Sequence, residues 1–239
     1  MVFSLAIIID KSHSYFFHLH SLKFSWHGSC QLFSNCWKVS FALSVYLFSS
    51  VSFLSTAMTT NFIKYPKVVA FDLDGTIWSP DMYMLWGGGS PFSFVNNYNL
   101  LDRSGQKVKL LGISGEILDT INTKEEWSDT KVAWVSCTDE PSWADECMNK
   151  FKTPMDVPLV ERVHEQCIFK DNKRVHFQEL KKRTGVEFVD MIFFDNEKYN
   201  IESVSKLGVC SVYCPDGMTR AIWEKGIDLW KKRRQEVCL

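Results

Sequence analysis

The sequence has no excess of charge of either sign. Its 239 residues carry 27 Lys and Arg against 28 Asp and Glu, which gives a net charge of −1. Nucleic-acid partners usually require a clustered positive surface, so this balance argues against that class of partner. The chain is long enough for one sizeable core, or for one domain with an appendage.

The sequence also lacks the cysteine patterns of metal sites and disulfide frameworks. It has eight cysteines, but none forms C-x-x-C and no histidine lies at zinc-binding spacing. Cys210 and Cys214 flank an apparent strand, where thiols usually fill space in the core. We therefore interpret the thiols as reduced, which favours an intracellular protein and a cytoplasmic location.

Residues 1–57 have almost no acidic side chains, with Asp10 alone against 13 serines. Residues 39–57 carry no charge and are just long enough to span a bilayer, although six serines weaken that interpretation. The apolar run begins too late for a normal signal peptide. A targeting or signal-anchor segment, an irregular membrane-associated region and translated sequence upstream of a start at Met58 all remain open. We favour the last, so membrane association rests on residues 39–57 alone.

Residues 58–239 alternate between strand-like and helix-like segments, which predicts an α/β domain with a doubly wound parallel sheet. Residues 77–110 interrupt this order with a glycine run at 87–89, and we expect a small flap or hairpin there. Helix N-caps are predicted at Ser114, Asp139 and Asn172, a further helix is expected to open at Asn196, and a helix end is predicted at Gly185. The predicted strands are Val68–Phe71, Lys131–Ser136, Gln166–Phe169, Asp190–Phe194 and Val209–Tyr213.

The most informative segment is FDLDGT, residues 71–76. A short apolar run ends there in two carboxylates, Asp72 and Asp74. The tip of a buried parallel strand is where α/β proteins bind ligands, and paired carboxylates can hold a hard cation and take part in chemistry. An ordinary Asp-Gly turn is the simpler explanation of this segment taken alone.

Three further polar signals lie at or beside the ends of predicted strands: Ser136, Lys173 and Asp195. Each has an ordinary explanation, as a turn residue, a solvated lysine or a helix cap. Because the carboxyl ends of parallel strands meet at one edge of the sheet, these groups are expected to converge with Asp72 and Asp74.

Four motifs, FDLDGTIW, SCTDEP, KRVHF and FFDNEKYN, together resemble the eukaryotic magnesium-dependent phosphatase family, a small-cap branch of the haloacid dehalogenase superfamily. The resemblance runs from about Pro66 to near residue 230, and residues 1–57 have no counterpart in it. It implies a Rossmann-like core, Asp72 as nucleophile and Asp74 as general acid and base. It also implies phosphate binding by Thr76, Ser136, Cys137 and Lys173. Mg²⁺ is expected on Asp72, the backbone carbonyl of Asp74 and Asp195.

Two positions depart from the family pattern. Cys137 stands where the family usually has arginine, which removes a positive charge from the phosphate site. Asn196 stands where the family has the second of two aspartates, and we expect Asp195 to keep the metal, with Glu197 able to compensate in part. A low-pKa Cys137 nucleophile is not supported by any basic neighbour or C-x5-R loop.

The expected function is a Mg²⁺-dependent phosphomonoesterase acting on a phosphorylated small molecule or a phosphoprotein. A phosphate-binding or regulatory protein that has lost turnover, and a membrane-anchored interaction protein, are the alternatives. A phosphomutase usually needs a larger cap to exclude water, and a dehalogenase does not need Asp74. Phosphotyrosine proteins and phosphosugars both remain possible substrates. Five aromatic residues are candidates for a rim of the site or for packing in the flap: Trp78, Tyr83, Trp86, Phe92 and Phe94.

Overall fold

The computed structural model describes residues 64–237. The predictions for residues 1–57, including the apolar run 39–57, lie outside this range. Within it there are nine strands and five α-helices. The strands are β1 Val68–Phe71, β2 Trp78–Ser79, β3 Ser93–Asn96, β4 Asn99–Leu101, β5 Lys107–Leu110, β6 Lys131–Ser136, β7 Glu165–Ile168, β8 Met191–Asp195 and β9 Cys210–Tyr213. The helices are α1 Ser114–Thr123, α2 Pro141–Lys150, α3 Lys173–Thr184, α4 Lys198–Ser205 and α5 Arg220–Val237.

A five-stranded parallel sheet in the order β7-β6-β1-β8-β9 forms the centre of the domain. The middle strand, β1, is buried along its whole length, as its uninterrupted apolar sequence predicts. The chain adds strands on one side of β1 and then, from β8, on the other. This order reverses between β1 and β8, and such a switch point is where open α/β sheets bind ligands at their carboxyl ends. The predicted fold class is confirmed.

Helices cover both faces of this sheet because alternate strand residues point to opposite sides. Val69, Phe71 and Trp134 belong to a core shared with α1, α2 and α5. Val68 and Ala70 face the opposite core, which α3 and α4 cover. Among residues 64–237, no helix combines the length and apolar character that a membrane span needs.

The segment predicted as a flap forms a second sheet, antiparallel, in the order β2-β5-β4-β3. Its first strand pairs with β5 through Trp78 and Leu110. Leu100 and Val108 point inward and are fully buried in the first core. The flap is therefore packed into the domain and shares its hydrophobic core.

Two of the three predicted N-caps were wrong, and the helix expected to open at Asn196 begins two residues later. Only Asn172 caps its helix, since its side chain accepts a hydrogen bond from the backbone amide of Val175. Ser114 is the first helical residue and its hydroxyl donates to a preceding carbonyl. Asp139 pairs instead with Lys170, and Asn196 lies before the helix, which begins at Lys198.

The end of α3 and the bounds of the strands follow the sequence more closely. Gly185 ends α3 in the left-handed conformation, as predicted. Strands β1 and β6 have the predicted bounds, and β7, β8 and β9 differ from theirs by one residue at one or both ends. Asp195 is consequently the last residue of β8, where the prediction placed it after the strand.

Candidate active site

Asp72 and Asp195 lie side by side at the carboxyl edge of the parallel sheet. β1 and β8 are neighbours in register, and the backbone amide of Asp72 donates to the Phe194 carbonyl at 3.0 Å. The Asp72 side chain is nearly buried and that of Asp195 is fully buried. The topology thus brings together two carboxylates that are 123 residues apart in the sequence.

Lys173 reaches both carboxylates from the first position of α3. Its ammonium group donates to Asp72 and to the Val135 carbonyl, and it lies 3.7 Å from Oδ2 of Asp195. Burial lowers the pKa of Lys173, but Asp72 and Asp195 more than offset that effect, and the pKa lies above its ordinary value. The lysine is therefore a fixed positive charge that joins the ends of β1, β6 and β8.

Further hydrogen bonds fix the Asp195 carboxylate. Oδ1 accepts the backbone amide of Glu197 at 2.7 Å, and Oδ2 accepts the side-chain amide of Asn200 at 3.0 Å. Burial and the negative charge of Asp72 nevertheless raise the pKa of Asp195. Asn200 was not identified from the sequence: it is the last residue of the FFDNEKYN motif, but its contact with Asp195 depends on the direction of its side chain in the helix that follows β8.

Asp74 is held by the first strand of the flap. The indole Nε1 of Trp78 donates to its Oδ1 at 2.7 Å. Burial, followed by repulsion from Asp72, raises the pKa of Asp74 to about 7, although Trp78 and the Met82 amide lower it as hydrogen-bond donors. A carboxyl group with this pKa can be protonated near neutral pH, as a proton donor must be.

Asp81, in the flap, adds a negative charge near these carboxyl groups. It is half-buried, and burial followed by the charges of Asp72 and Glu197 raises its pKa. Asp81 was not predicted as a site residue from the sequence, because Asp81 belongs to no motif. Glu197, which was expected to compensate for Asn196, is exposed.

Thr76 and Asn196 connect the loops that follow β1 and β8. The buried hydroxyl of Thr76 donates to Oδ1 of Asn196 at 3.3 Å and accepts the Asn196 backbone amide at 3.1 Å. Between them lies Gly75, with φ +71°, where a Cβ atom would fall 2.2 Å from the Asn196 side-chain nitrogen. The hydroxyl of Thr76 is thus engaged within the protein, and its contact with phosphate stays a prediction.

Ser136 and Cys137 lie at the end of β6, beside the carbonyl that binds Lys173. Ser136 is buried, and its hydroxyl accepts the backbone amide of Thr138 at 3.3 Å. Cys137 is a free cysteine, and the residue as a whole is exposed. Partial loss of water around its sulfur nevertheless raises the pKa of the thiol. The charge of Lys173 lowers this pKa, and the charge of Asp72 raises it further. The raised pKa agrees with the view that Cys137 is not a thiolate nucleophile.

The aromatic residues considered for a rim fall into two groups. Trp78 and Phe92 are buried and pack in the core. The other three are exposed and remain available at the surface: Tyr83, Trp86 and Phe94.

The donor set suits a hard divalent cation. Across residues 64–237 no three His, Cys, Asp or Glu side chains form a metal cluster. The smaller set predicted from the sequence, two carboxylates and a main-chain carbonyl, would fit Mg²⁺ because that ion prefers oxygen ligands and keeps several waters. Asp72 and Asp195 share a single buried cation, and Asp74 and Asp81 add negative charge nearby. The excess negative charge is what a bound Mg²⁺ would offset.

Comparison with known proteins identifies similar chains. The sequence model of the acid phosphatase family matches residues 64–233. Human magnesium-dependent phosphatase 1 is 31% identical over 169 residues, which cover 71% of this chain and 89% of the human protein. A HAD-like hydrolase superfamily protein of Schizosaccharomyces pombe is 30% identical over 153 residues, 62% of this chain and 84% of that protein. A solved phosphatase-domain structure from Bacteroides fragilis, complexed with Mg, has 16% identity and a TM-score of 0.41, over 72% of this chain and 40% of that one.

Proposed function

The chain belongs to the acid phosphatase family and is a magnesium-dependent phosphatase of the haloacid dehalogenase type, and from this premise we propose that it hydrolyses phosphate monoesters through a covalent intermediate on Asp72. One observation carries the proposal. The nearly buried carboxylate of Asp72 lies at the switch point of the sheet, paired with Lys173 and close to Asp74 and Asp195.

The proposed reaction has two steps that use the same two aspartates. An Asp72 carboxylate oxygen attacks phosphorus, and Asp74 gives its proton to the leaving-group oxygen as the P–O bond breaks. Asp74, now a carboxylate, then takes a proton from the water that attacks the acyl phosphate, which releases phosphate and restores Asp72. Two displacements of moderate difficulty replace one that is difficult.

The remaining residues position and neutralise charge. Lys173 holds Asp72 in place and offsets negative charge on the phosphoryl group, which is the main way proteins accelerate phosphoryl transfer. Ser136 and Cys137 are proposed to contact phosphoryl oxygens from the end of β6. Magnesium, held by Asp72, Asp195 and the Asp74 carbonyl, supplies positive charge against the phosphoryl oxygens when bound.

The substrate class is proposed from the small size of the flap. The antiparallel sheet contributes only four short strands, and exposed aromatic side chains of this segment, Tyr83 and Trp86, offer surfaces for an aromatic or sugar ring. Phosphotyrosine in a protein and a phosphosugar are both compatible with this arrangement.

The five free cysteines of residues 64–237 support a cytoplasmic location.

A phosphate-binding protein that has lost turnover is the second candidate. Cys137 and Asn196 favour it, since they replace an arginine and a carboxylate of the family pattern. Turnover separates the two candidates: the enzyme releases phosphate in molar excess over protein, whereas the binding protein binds phosphate without doing so.

The test is hydrolysis of p-nitrophenyl phosphate by the full chain, with Mg²⁺ and with chelator. Asp72→Asn should abolish Mg²⁺-dependent turnover while circular dichroism and thermal unfolding show a folded protein. Asp156→Asn is the matched control, because the same change is made at an exposed ion pair with Lys152 and at φ +61°, which asparagine tolerates. Turnover at the wild-type rate in Asp72→Asn would overturn the assignment of the nucleophile.

A further inference from the structure

Trp78 joins the flap to the proposed proton donor. Its side chain is fully buried, and its Nε1 lies 2.7 Å from Oδ1 of Asp74. The backbone reinforces this contact, because the Gly75 amide donates to the Trp78 carbonyl at 2.8 Å. The indole ring is itself fixed, stacked on Phe151 with a centroid separation of 6.2 Å. Trp78 therefore has little freedom to move away from Asp74.

Burial does not by itself provide an indole with a hydrogen-bond acceptor in this protein. Among the described residues, the indole N–H groups of Trp134 and Trp230 are buried and have no partner. Trp78 differs from both, since its N–H meets a carboxyl group at the catalytic edge. This contrast points to a function for the Trp78 hydrogen bond beyond core packing.

The hydrogen bond also favours one oxygen of Asp74 as the site of the acid proton. An indole N–H is only a donor, and the carbonyl oxygen of a protonated carboxyl group is a better acceptor than its hydroxyl oxygen. When Asp74 is protonated, the Trp78 hydrogen bond therefore favours Oδ1 as the carbonyl oxygen and Oδ2 as the oxygen that carries the proton. A flap residue in this way orients the proton that must reach the leaving group.

We infer that Trp78 is a positioning residue that holds the Asp74 carboxyl group with its Oδ2 proton directed to the leaving-group oxygen. The inference rests on the proposed function, in which Asp74 is the general acid. Trp78 pairs with Leu110 of β5, and the Leu111 amide donates to the Ile77 carbonyl at 2.8 Å. The flap sheet is consequently part of the catalytic apparatus as well as a wall of the site.

The experiment compares Trp78→Phe with Trp134→Phe in the full chain. Both remove the same atoms from a buried position, but only the first removes a hydrogen bond. The readout is kcat/KM for phenyl phosphates with leaving groups of different acidity. Good leaving groups need little help from a general acid, whereas poor ones depend on it.

Trp78→Phe should lower kcat/KM for both substrates, and should lower the value for phenyl phosphate at least about 3-fold more than the value for p-nitrophenyl phosphate. Trp134→Phe should change kcat/KM for both substrates by the same factor. The ratio of the two kcat/KM values, measured on one sample, does not depend on the folded fraction, so partial unfolding does not affect this ratio. In an Asp74→Asn background, which lacks the proton donor, Trp78→Phe should not change the ratio further.

Two failures are distinguishable. If the wild-type chain hydrolyses neither substrate, the proposed function falls and the inference falls with it. If the wild type is active but Trp78→Phe keeps the wild-type substrate ratio, the inference about Trp78 is overturned and the phosphatase assignment stands.

Discussion

At the scale of single residues, Gly75 shows how the site tolerates the departure at position 196. The amide group of Asn196 lies against Gly75 and bonds to Thr76, so it ties the loop after β1 to the loop after β8. The proposed metal site then depends on Asp195, which lies beside Asp72. Asn196 therefore has a role in fixing the backbone.

This role predicts that Gly75→Ala is more damaging than its backbone angle alone explains. The matched control is Gly185→Ala, which has nearly the same φ, +69° against +71°, but no atom within 4 Å of the added Cβ. Placing alanine in the left-handed region costs about 1–2 kcal/mol at either position. The contact with Asn196 should add at least about 1 kcal/mol for Gly75→Ala. Denaturant unfolding checks this, and equal losses for the two variants would contradict it.

At the scale of secondary-structure elements, the sequence predicted the sheet well and the helix starts poorly. Strands β1 and β8 are continuous apolar runs in the sequence. Such runs are typical of central strands in a parallel sheet, because helices bury both faces of that sheet. Cap residues such as Asp139 form bonds that depend on neighbours brought near by folding, in this case Lys170. The same reason explains why Asn200 was missed as a site residue, and why Trp78 was considered only for the rim of the site or for packing in the flap. Their partners, Asp74 and Asp195, become apparent only when side-chain directions are known.

The one N-cap that the sequence located also positions Lys173, a residue proposed to act in catalysis. Asn172 caps α3 and Lys173 is the first residue of that helix. Asn172→Ala should lower the free energy of unfolding by about 1 kcal/mol, whereas Asn172→Ser should keep most of it. Because fraying of the first turn releases Lys173 from Asp72, kcat/KM for an aryl phosphate should fall in the alanine variant. Denaturant titration and steady-state kinetics test this together, and an alanine variant indistinguishable from serine would refute it.

At the scale of the whole domain, the two ends of β8 differ in how charge is balanced. At its start, Asp190 faces two cations, Lys67 at 3.6 Å and Arg234 at 2.9 Å, the second of them on the C-terminal helix. At its other end, Asp195 shares Lys173 with Asp72. The balanced end fastens α5 to the sheet. The unbalanced end keeps excess negative charge, and this is the end that a divalent cation would stabilise.

Mg²⁺ should therefore stabilise the full chain through Asp195 and independently of Asp190. A ligand that binds only the folded state at 100 times its Kd contributes about 2.7 kcal/mol, or roughly 5–10 °C in unfolding temperature for a domain of this size. Asp195→Asn should lose this Mg²⁺-dependent shift. Asp190→Asn, the same change at the other end of β8, should lower the unfolding temperature in chelator yet retain the shift. Thermal unfolding with Mg²⁺ and with chelator measures both effects. A full Mg²⁺-dependent shift in Asp195→Asn would show that Asp195 is not a ligand of the metal. Loss of the shift in both variants would mean that the response reflects general destabilisation instead of a bound ligand.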